Sequence, residues 1–141
     1  MNIVKLTETL GVSAQITPDD VAEIAAAGYM VLINNRPDGE EGTQPAGRAI
    51  AAAAQAAGLD YHYMPVTAMS FPGPDFDAMS DLLDDPARPV LAFCRSGTRC
   101  ANLWVASCDA AAREQAMKAA SQRGYDLAMA SNFFARGQAR D

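Results

Sequence analysis

The run Tyr29-Met30-Val31-Leu32-Ile33-Asn34 constrains the fold more than any other segment, because it is apolar without polar alternation and is bounded by Gly28 and by Asn35-Arg36-Pro37. A strand with one face in water alternates; an unbroken apolar run bounded by turn residues is the pattern of a strand covered on both faces. Val90-Leu91-Ala92-Phe93 is a second apolar strand pattern, and Tyr61-His62-Tyr63-Met64-Pro65-Val66 reads as a third strand. Helical stretches alternate with these strands. Thr17-Pro18-Asp19-Asp20 carries an N-cap, a proline at the first helical position and acids in the first turn, with Val21, Ile24 and Ala25 on one face and Gly28 as terminator. The alanine-rich segment from Ala46 to Ala57 is strong helix by propensity and stops at Gly58. Further helices are expected over 75–83, 98–107, 110–123 and 125–134, before a polar tail, and Val4-Lys5-Leu6 with Leu10-Gly11-Val12 suggests an opening hairpin or two extended pieces. This alternation predicts a single α/β domain over residues 1–141: three layers, with a mainly parallel central sheet flanked by helices.

In such sheets ligands bind beyond the carboxyl ends of the strands, which turns the pattern into a map. The residues leaving the three best strands are Asn34-Asn35-Arg36, Val66-Thr67 and Cys94-Arg95-Ser96-Gly97-Thr98-Arg99-Cys100. The last is the most informative. A short Gly-containing loop between a buried strand and a helix turns backbone N–H groups inward, where the helix N-terminus adds partial positive charge. A cysteine at its base, with a pKa of roughly 8.5 when free, is expected to fall toward ~3.5–7.5 beside a guanidinium. Arg95, Ser96, Gly97 and Thr98 would form the anion-binding loop, and Arg99 would grip an oxyanion with its fork of donors. Cys94 and Arg99 are therefore the expected catalytic pair for covalent chemistry on an anionic substrate.

Arg36 is a supporting candidate because it leaves a buried strand, although Arg36 with Glu40 and Glu41 also reads as a solvated turn. Cys100 falls in the first helical turn, where its side chain leans back toward the cradle. It could donate to the Cys94 thiolate or form a reversible disulfide with it. Asp75 and Asp77 are candidate acids for protonating a leaving oxygen, with helix N-terminal acids as the simpler reading. Cys108 reads as structural. His62, the only histidine, reads as strand packing, and too few ligands accompany it for a metal site. No cofactor is expected.

The chain has a net charge of −6, half its residues are apolar, and its three cysteines form an odd set. The charge argues against nucleic acid and anionic membranes as partners, and no apolar run approaches the ~20 residues of a membrane span. Nothing at the start reads as a secretory signal, so a cytoplasmic location with reduced thiols is expected.

Leu10-Gly11-Val12-Ser13-Ala14-Gln15-Ile16-Thr17, Val31-Leu32-Ile33-Asn34-Asn35-Arg36-Pro37-Asp38-Gly39-Glu40, and Cys94 to Arg99 followed by Leu103-Trp104 resemble the phosphatase-like domain family of beta-lactamase-hydrolase-like proteins. The likeness covers roughly residues 1–110. It implies a fold similar to dual-specificity tyrosine phosphatases and a cysteine-centred activity described both as phosphatase-like and as sulfur transfer. Some members are fused to a persulfide dioxygenase domain, which this chain is too short to contain, so such an enzyme is a candidate partner.

The motif departs from the tyrosine-phosphatase pattern. Phe93 stands where a histidine precedes the cysteine, four residues rather than five separate Cys94 from Arg99, and Thr67 stands where the general acid is expected. Cys-Arg-x-Gly-x-Arg is the loop style of rhodaneses. A shortened loop favours a terminal sulfur over a phosphoryl group, and a sulfite or thiolate leaving group departs unprotonated. Members of the family usually have Ser where Cys100 stands, so the resemblance carries no redox role for Cys100. The expected function is a sulfurtransferase that forms a persulfide on Cys94 from a small anionic sulfur donor and passes it to a thiol-type acceptor. The alternatives are a phosphatase that acts on a phosphate ester through a phosphocysteine, and a non-catalytic anion-binding or redox-sensing module.

Overall fold

Residues 1–137 are described by the computed structural model, so the end of the expected polar tail lies outside the described residues. Along them run β1 (Val4–Lys5), β2 (Leu10–Ser13), a 3-10 turn at Pro18–Asp20, α1 (Val21–Ala26), β3 (Val31–Asn34), α2 (Gly47–Ala57), β4 (Asp60–Tyr63), α3 (Phe76–Leu83), β5 (Val90–Phe93), α4 (Thr98–Ser107), α5 (Ala110–Gln122) and α6 (Ala128–Ala135). The sheet order is β1-β2-β5-β3-β4. Only the β1–β2 pair is antiparallel; β2 and β3 both run parallel to the central β5. The expected α/β domain with a mainly parallel sheet is what the chain forms.

The apolar runs behave as a doubly covered strand must. Val31 and Ile33 of β3, with Val90 and Ala92 of β5, face one core that includes Val12, Ala101, Leu103, Val105 and Phe133. Leu32, Leu91 and Phe93 face the other, built with Ile16, Val21, Ile24, Ile50 and Ala54. Successive strand residues point to opposite faces, and here each face has its own helices. Thus α1 and α2 cover one side while α3 to α6 cover the other.

Several boundaries differ from expectation for local reasons. β3 begins at Val31, not Tyr29, because its partner begins at Val90 and the preceding Pro89 has no N–H for the ladder. Pro89 still accepts from the Met30 and Val31 N–H groups at 2.9 and 3.1 Å. β4 is the shorter segment Asp60–Tyr63 at the sheet edge, since β3 ends opposite Tyr63 and Pro65 cannot donate. α6 starts three residues late, at Ala128, because Asp126 Oδ1 accepts the Ala128 N–H at 2.8 Å while the Tyr125 N–H closes back on the Ala120 carbonyl at 3.2 Å.

Among the described residues no helix is long and apolar enough to cross a membrane. Leu91 is fully buried at the centre of the sheet. Leu91→Ala is expected to cost about 2–5 kcal/mol of unfolding free energy in a denaturant titration; a loss well under ~1 kcal/mol would contradict this packing.

Candidate active site

Cys94 is the first residue beyond the central strand, and its backbone is tied at once to the neighbouring one. The Cys94 N–H donates to the Ser13 carbonyl at 3.3 Å, and the Gln15 N–H donates to the Arg95 carbonyl at 3.3 Å. The loop then turns at Gly97, whose φ of 89° lies in the left-handed region that a side chain disfavours. A Cβ there would also sit 3.2 Å from the Tyr125 hydroxyl. This turn aims the Gly97 N–H at Cys94 Sγ, 3.1 Å away, just ahead of the first turn of α4. The Ser96 hydroxyl is directed to Thr98 Oγ1 at 2.9 Å, so it serves the loop's own geometry.

Cys94 has no exposed surface, yet its pKa falls from 9.0 to about 6. The largest cause is the Cys100 thiol donating to the sulfur. Burial opposes it, and the Cys100 N–H, the Arg99 charge and the Ser96 N–H reinforce it. Cys100, itself buried and facing that thiolate, is pushed up and stays a thiol. The structure therefore places Cys94, Arg99 and Cys100 together. Cys108 is apart from them: its thiol donates to the Trp104 carbonyl at 3.4 Å, and burial is the main reason its pKa rises to about 11.

The Arg99 guanidinium is held end-on. Nη1 donates to Glu40 Oε2 at 2.6 Å and to the Val66 carbonyl at 2.9 Å, while Nη2 donates to Glu40 Oε1 at 2.9 Å. A guanidinium has five N–H donors. Three are thus used, and among the described residues the remaining two, on Nε and Nη2, have no partner. They form the side-on fork that matches two oxygens of an oxyanion. Glu40 is correspondingly strong as an anion: hydrogen bonding from Arg99, against burial and with help from Arg36, lowers its pKa to about 2.

Arg36, at the exit of β3, is engaged by side chains around the site. It is buried at 3% exposure and grips Glu40 Oε1 through Nε at 3.0 Å, Glu41 Oε1 through Nη2 at 2.7 Å and Gln15 Oε1 through Nη1 at 3.1 Å. Arg95, with its side chain 69% exposed, lies at the rim and pairs with Glu41 at 2.9 Å. Glu40 and Glu41 are thus site residues that the sequence pattern presented as a solvated turn. Their loop is pinned by Asn34 Oδ1 on the Arg36 N–H at 2.9 Å and by Tyr63 Oη on the Asp38 N–H at 2.9 Å. Asp38 in turn accepts the Gly47 N–H at 2.7 Å, at the start of α2.

Asp75 immediately precedes α3 and Asp77 is in its first turn; neither makes a hydrogen bond or ion pair with the Cys94 loop among the described residues. Thr67, at the position expected for an acid, bonds instead to Ser70 within its own turn. His62 Nε2 lies 3.0 Å from Asp60 Oδ2 in the edge strand β4, and no cluster of metal-ligating side chains occurs among the described residues. A surface hollow of about 640 Å³ is lined by Tyr29, Gln55, Leu59 and Arg88 near the starting ends of β3 and β4, away from Cys94 at the far end of β5.

Because the folded Cys94 pKa is depressed from 9.0 to about 6, its thiolate contributes stability that is fully present above pH 9 and is lost as pH falls toward 6. Thiolate ultraviolet absorbance is expected to titrate with a midpoint near 6 in the native protein. Cys100→Ala should move that midpoint up, and Cys100→Ser, which keeps a donor, should move it less. A midpoint unchanged by Cys100→Ala would contradict this origin of the shift.

The chain's likenesses follow the same site. The family model described as "Beta-lactamase hydrolase-like protein, phosphatase-like domain" matches residues 2–112. A beta-lactamase hydrolase-like protein of Xylella fastidiosa is 40% identical over 107 residues, which is 76% of this chain and 25% of that protein. The chain thus spans about a quarter of the length of the curated relatives it matches. A crystal structure of a candidate phosphatase from Neisseria meningitidis is 36% identical, with a TM-score of 0.75 and 96% of each chain covered. Kinase associated phosphatase, solved with its catalytic site cysteine replaced by serine, shares the fold at 16% identity, with a TM-score of 0.70 over 96% of this chain and 93% of that one. The architecture is that of the dual-specificity and tyrosine phosphatases.

Proposed function

The chain belongs to the family of phosphatase-like domains of beta-lactamase hydrolase-like proteins, and from that premise we propose that it is a cysteine-dependent phosphatase acting on small phosphate monoesters. The observation that carries the reading is the Gly97 N–H at 3.1 Å from the Cys94 sulfur, beside an Arg99 whose side-on fork is free. In this reading the Cys94 thiolate attacks phosphorus, and the ester oxygen departs with the bonding pair. The Arg99 fork and the loop N–H groups hold the phosphoryl oxygens as charge shifts onto them. Water then cleaves the phosphocysteine, releasing phosphate and restoring the thiolate. The expectation of sulfur transfer as first reading gives way here, because the family model is described as phosphatase-like and the like folds are named as phosphatases.

One feature of the site still favours sulfur transfer as a second reading. The position expected for an acid to protonate a leaving oxygen holds Thr67, bonded to Ser70, and among the described residues Glu40 is bound to Arg99 as an anion and Glu41 to Arg36 and Arg95. A sulfite or thiolate leaving group needs no such proton. In that reading Cys94 takes a sulfane sulfur from a small anionic donor and hands it to a thiol, and a persulfide dioxygenase is a fitting consumer of the product.

For the phosphatase the same feature dictates selectivity: esters with acidic leaving groups, such as aryl phosphates, should turn over and alkyl phosphates hardly at all. Phosphate release from a graded series of aryl phosphates is expected to fall steeply as leaving-group pKa rises. It should rise with pH through an acid limb near 6 and drop at least ~10³-fold in Cys94→Ser. In parallel, thiosulfate and cyanide are supplied and thiocyanate is measured. Cys94-dependent thiocyanate formation with no Cys94-dependent phosphate release would overturn the first reading and support the second.

A further inference from the structure

Charges at the site mouth alternate in an unbroken chain: Arg99, Glu40, Arg36, Glu41, Arg95. Its middle member is used in an unusual way. The Nε and Nη2 donors of Arg36 form a parallel fork suited to two oxygens of a single anion. Here the fork holds one oxygen from each of two different carboxylates, Glu40 at 3.0 Å and Glu41 at 2.7 Å. The outer oxygen, Glu41 Oε1, is shared with Arg95 Nε at 2.9 Å. Two guanidinium groups thus converge on one oxygen, and one of them, Arg36, shares Glu40 with Arg99.

The two carboxylates are not held equally. Glu40 is gripped by both Arg99 and Arg36, and its side chain is 29% exposed. The Glu41 side chain is 48% exposed and its Arg95 partner 69% exposed, so that outer pair is weak and the bond to the buried Arg36 is the one a substrate must replace. The segment Gly39-Glu40-Glu41-Gly42 sets a glycine on each side of the acidic pair, the first with a φ of 75°. Glu41 is therefore the displaceable link, and Cys94, with no exposed surface, requires something at the mouth to move before a substrate enters.

We propose that Glu41 holds the place of a second anionic group of the substrate, and that Arg36 Nη2 and Arg95 Nε form a subsite for it beside the Cys94 phosphoryl position. The substrate class is a small phosphate compound whose second phosphoryl group adjoins the first, as in a diphosphate. Three guanidinium groups against two carboxylates and the Cys94 thiolate leave the cluster neutral; expelling Glu41 to solvent leaves one positive charge where the second phosphate docks. The overall charge of −6 favours a compact ligand captured by this focused site over an extended acidic one. The inference rests on the oxyanion-binding reading of the Cys94 loop but not on turnover.

The test is protection of Cys94 from iodoacetamide by inorganic phosphate and by inorganic pyrophosphate, followed by intact mass in the full chain. The readout is the ratio of the two half-protecting concentrations. Pyrophosphate is expected to protect at about tenfold lower concentration, the worth of one charge-assisted pair. Arg95→Ala should bring the ratio down to within about twofold of parity, and Glu41→Gln, which removes the competing anion, should widen it about threefold or more. Both residues are exposed, so the variants should keep the native fold, as circular dichroism would check. Parity in the native protein, or a ratio that Arg95→Ala leaves unchanged, would overturn the proposal. A chain that releases no phosphate from any ester but keeps the ratio would sink the phosphatase reading alone. An active phosphatase at parity would sink the subsite alone.

Discussion

The site depends on the convergence of donors on the buried Cys94 sulfur, among them the Gly97 N–H at 3.1 Å. A buried thiol is ordinarily held neutral, because desolvation penalises the thiolate. Here the penalty is outweighed by donors that converge on one atom: the Cys100 thiol first, then backbone N–H groups and the Arg99 charge. That convergence needs a strand ending at the sheet centre, a left-handed glycine and a helix starting at once behind it. It is why β5 lies between β2 and β3 and why both faces of β5 must be covered. Stability and reactivity are joined at this point.

The charged groups around the thiolate divide the labour. Arg99 is oriented by Glu40 and the Val66 carbonyl, which leaves its side-on fork without a partner among the described residues. Val66 is itself fixed because its N–H donates to the Asn35 carbonyl at 3.0 Å, while the Asn35 N–H donates to the Phe93 carbonyl at 2.9 Å. The exits of β3, β4 and β5 are thus laced together before any substrate arrives. Such preorganisation lets donors meet developing charge without reorganising. Thr67 at the position expected for an acid sets the other side of the balance: a phosphatase built on this site would rely on leaving groups that carry their own charge.

The parts legible in the sequence were those encoded locally. A doubly covered strand shows as an apolar run, helices α2 and α4 show by propensity and caps, and the Cys94 to Arg99 loop is contiguous, so strand, glycine and arginine could be read together. Strand ends were less legible, since β4 stops where β3 and Pro65 stop it, not where its own residues change. Glu40 and Glu41 were the largest omission. Two glutamates between glycines look like a solvated turn, and only the tertiary fold sets them against Arg99, 59 positions away for Glu40. Arg36 leaves β3 where a pocket-lining residue is expected, and the fold sets its buried guanidinium against Glu40 and Glu41, a pairing no local pattern shows. Cys100 was read as facing the cradle, and it does; that its thiol is the main support of the Cys94 anion required the structure.

The most direct test of the central claim is the species on Cys94 during reaction. Rapid quenching of the protein with an aryl phosphate, followed by peptide mass analysis, should find a phosphoryl group on Cys94 that is absent from Cys94→Ser. Phosphate release that persists in Cys94→Ser with no adduct on Cys94 would contradict the account.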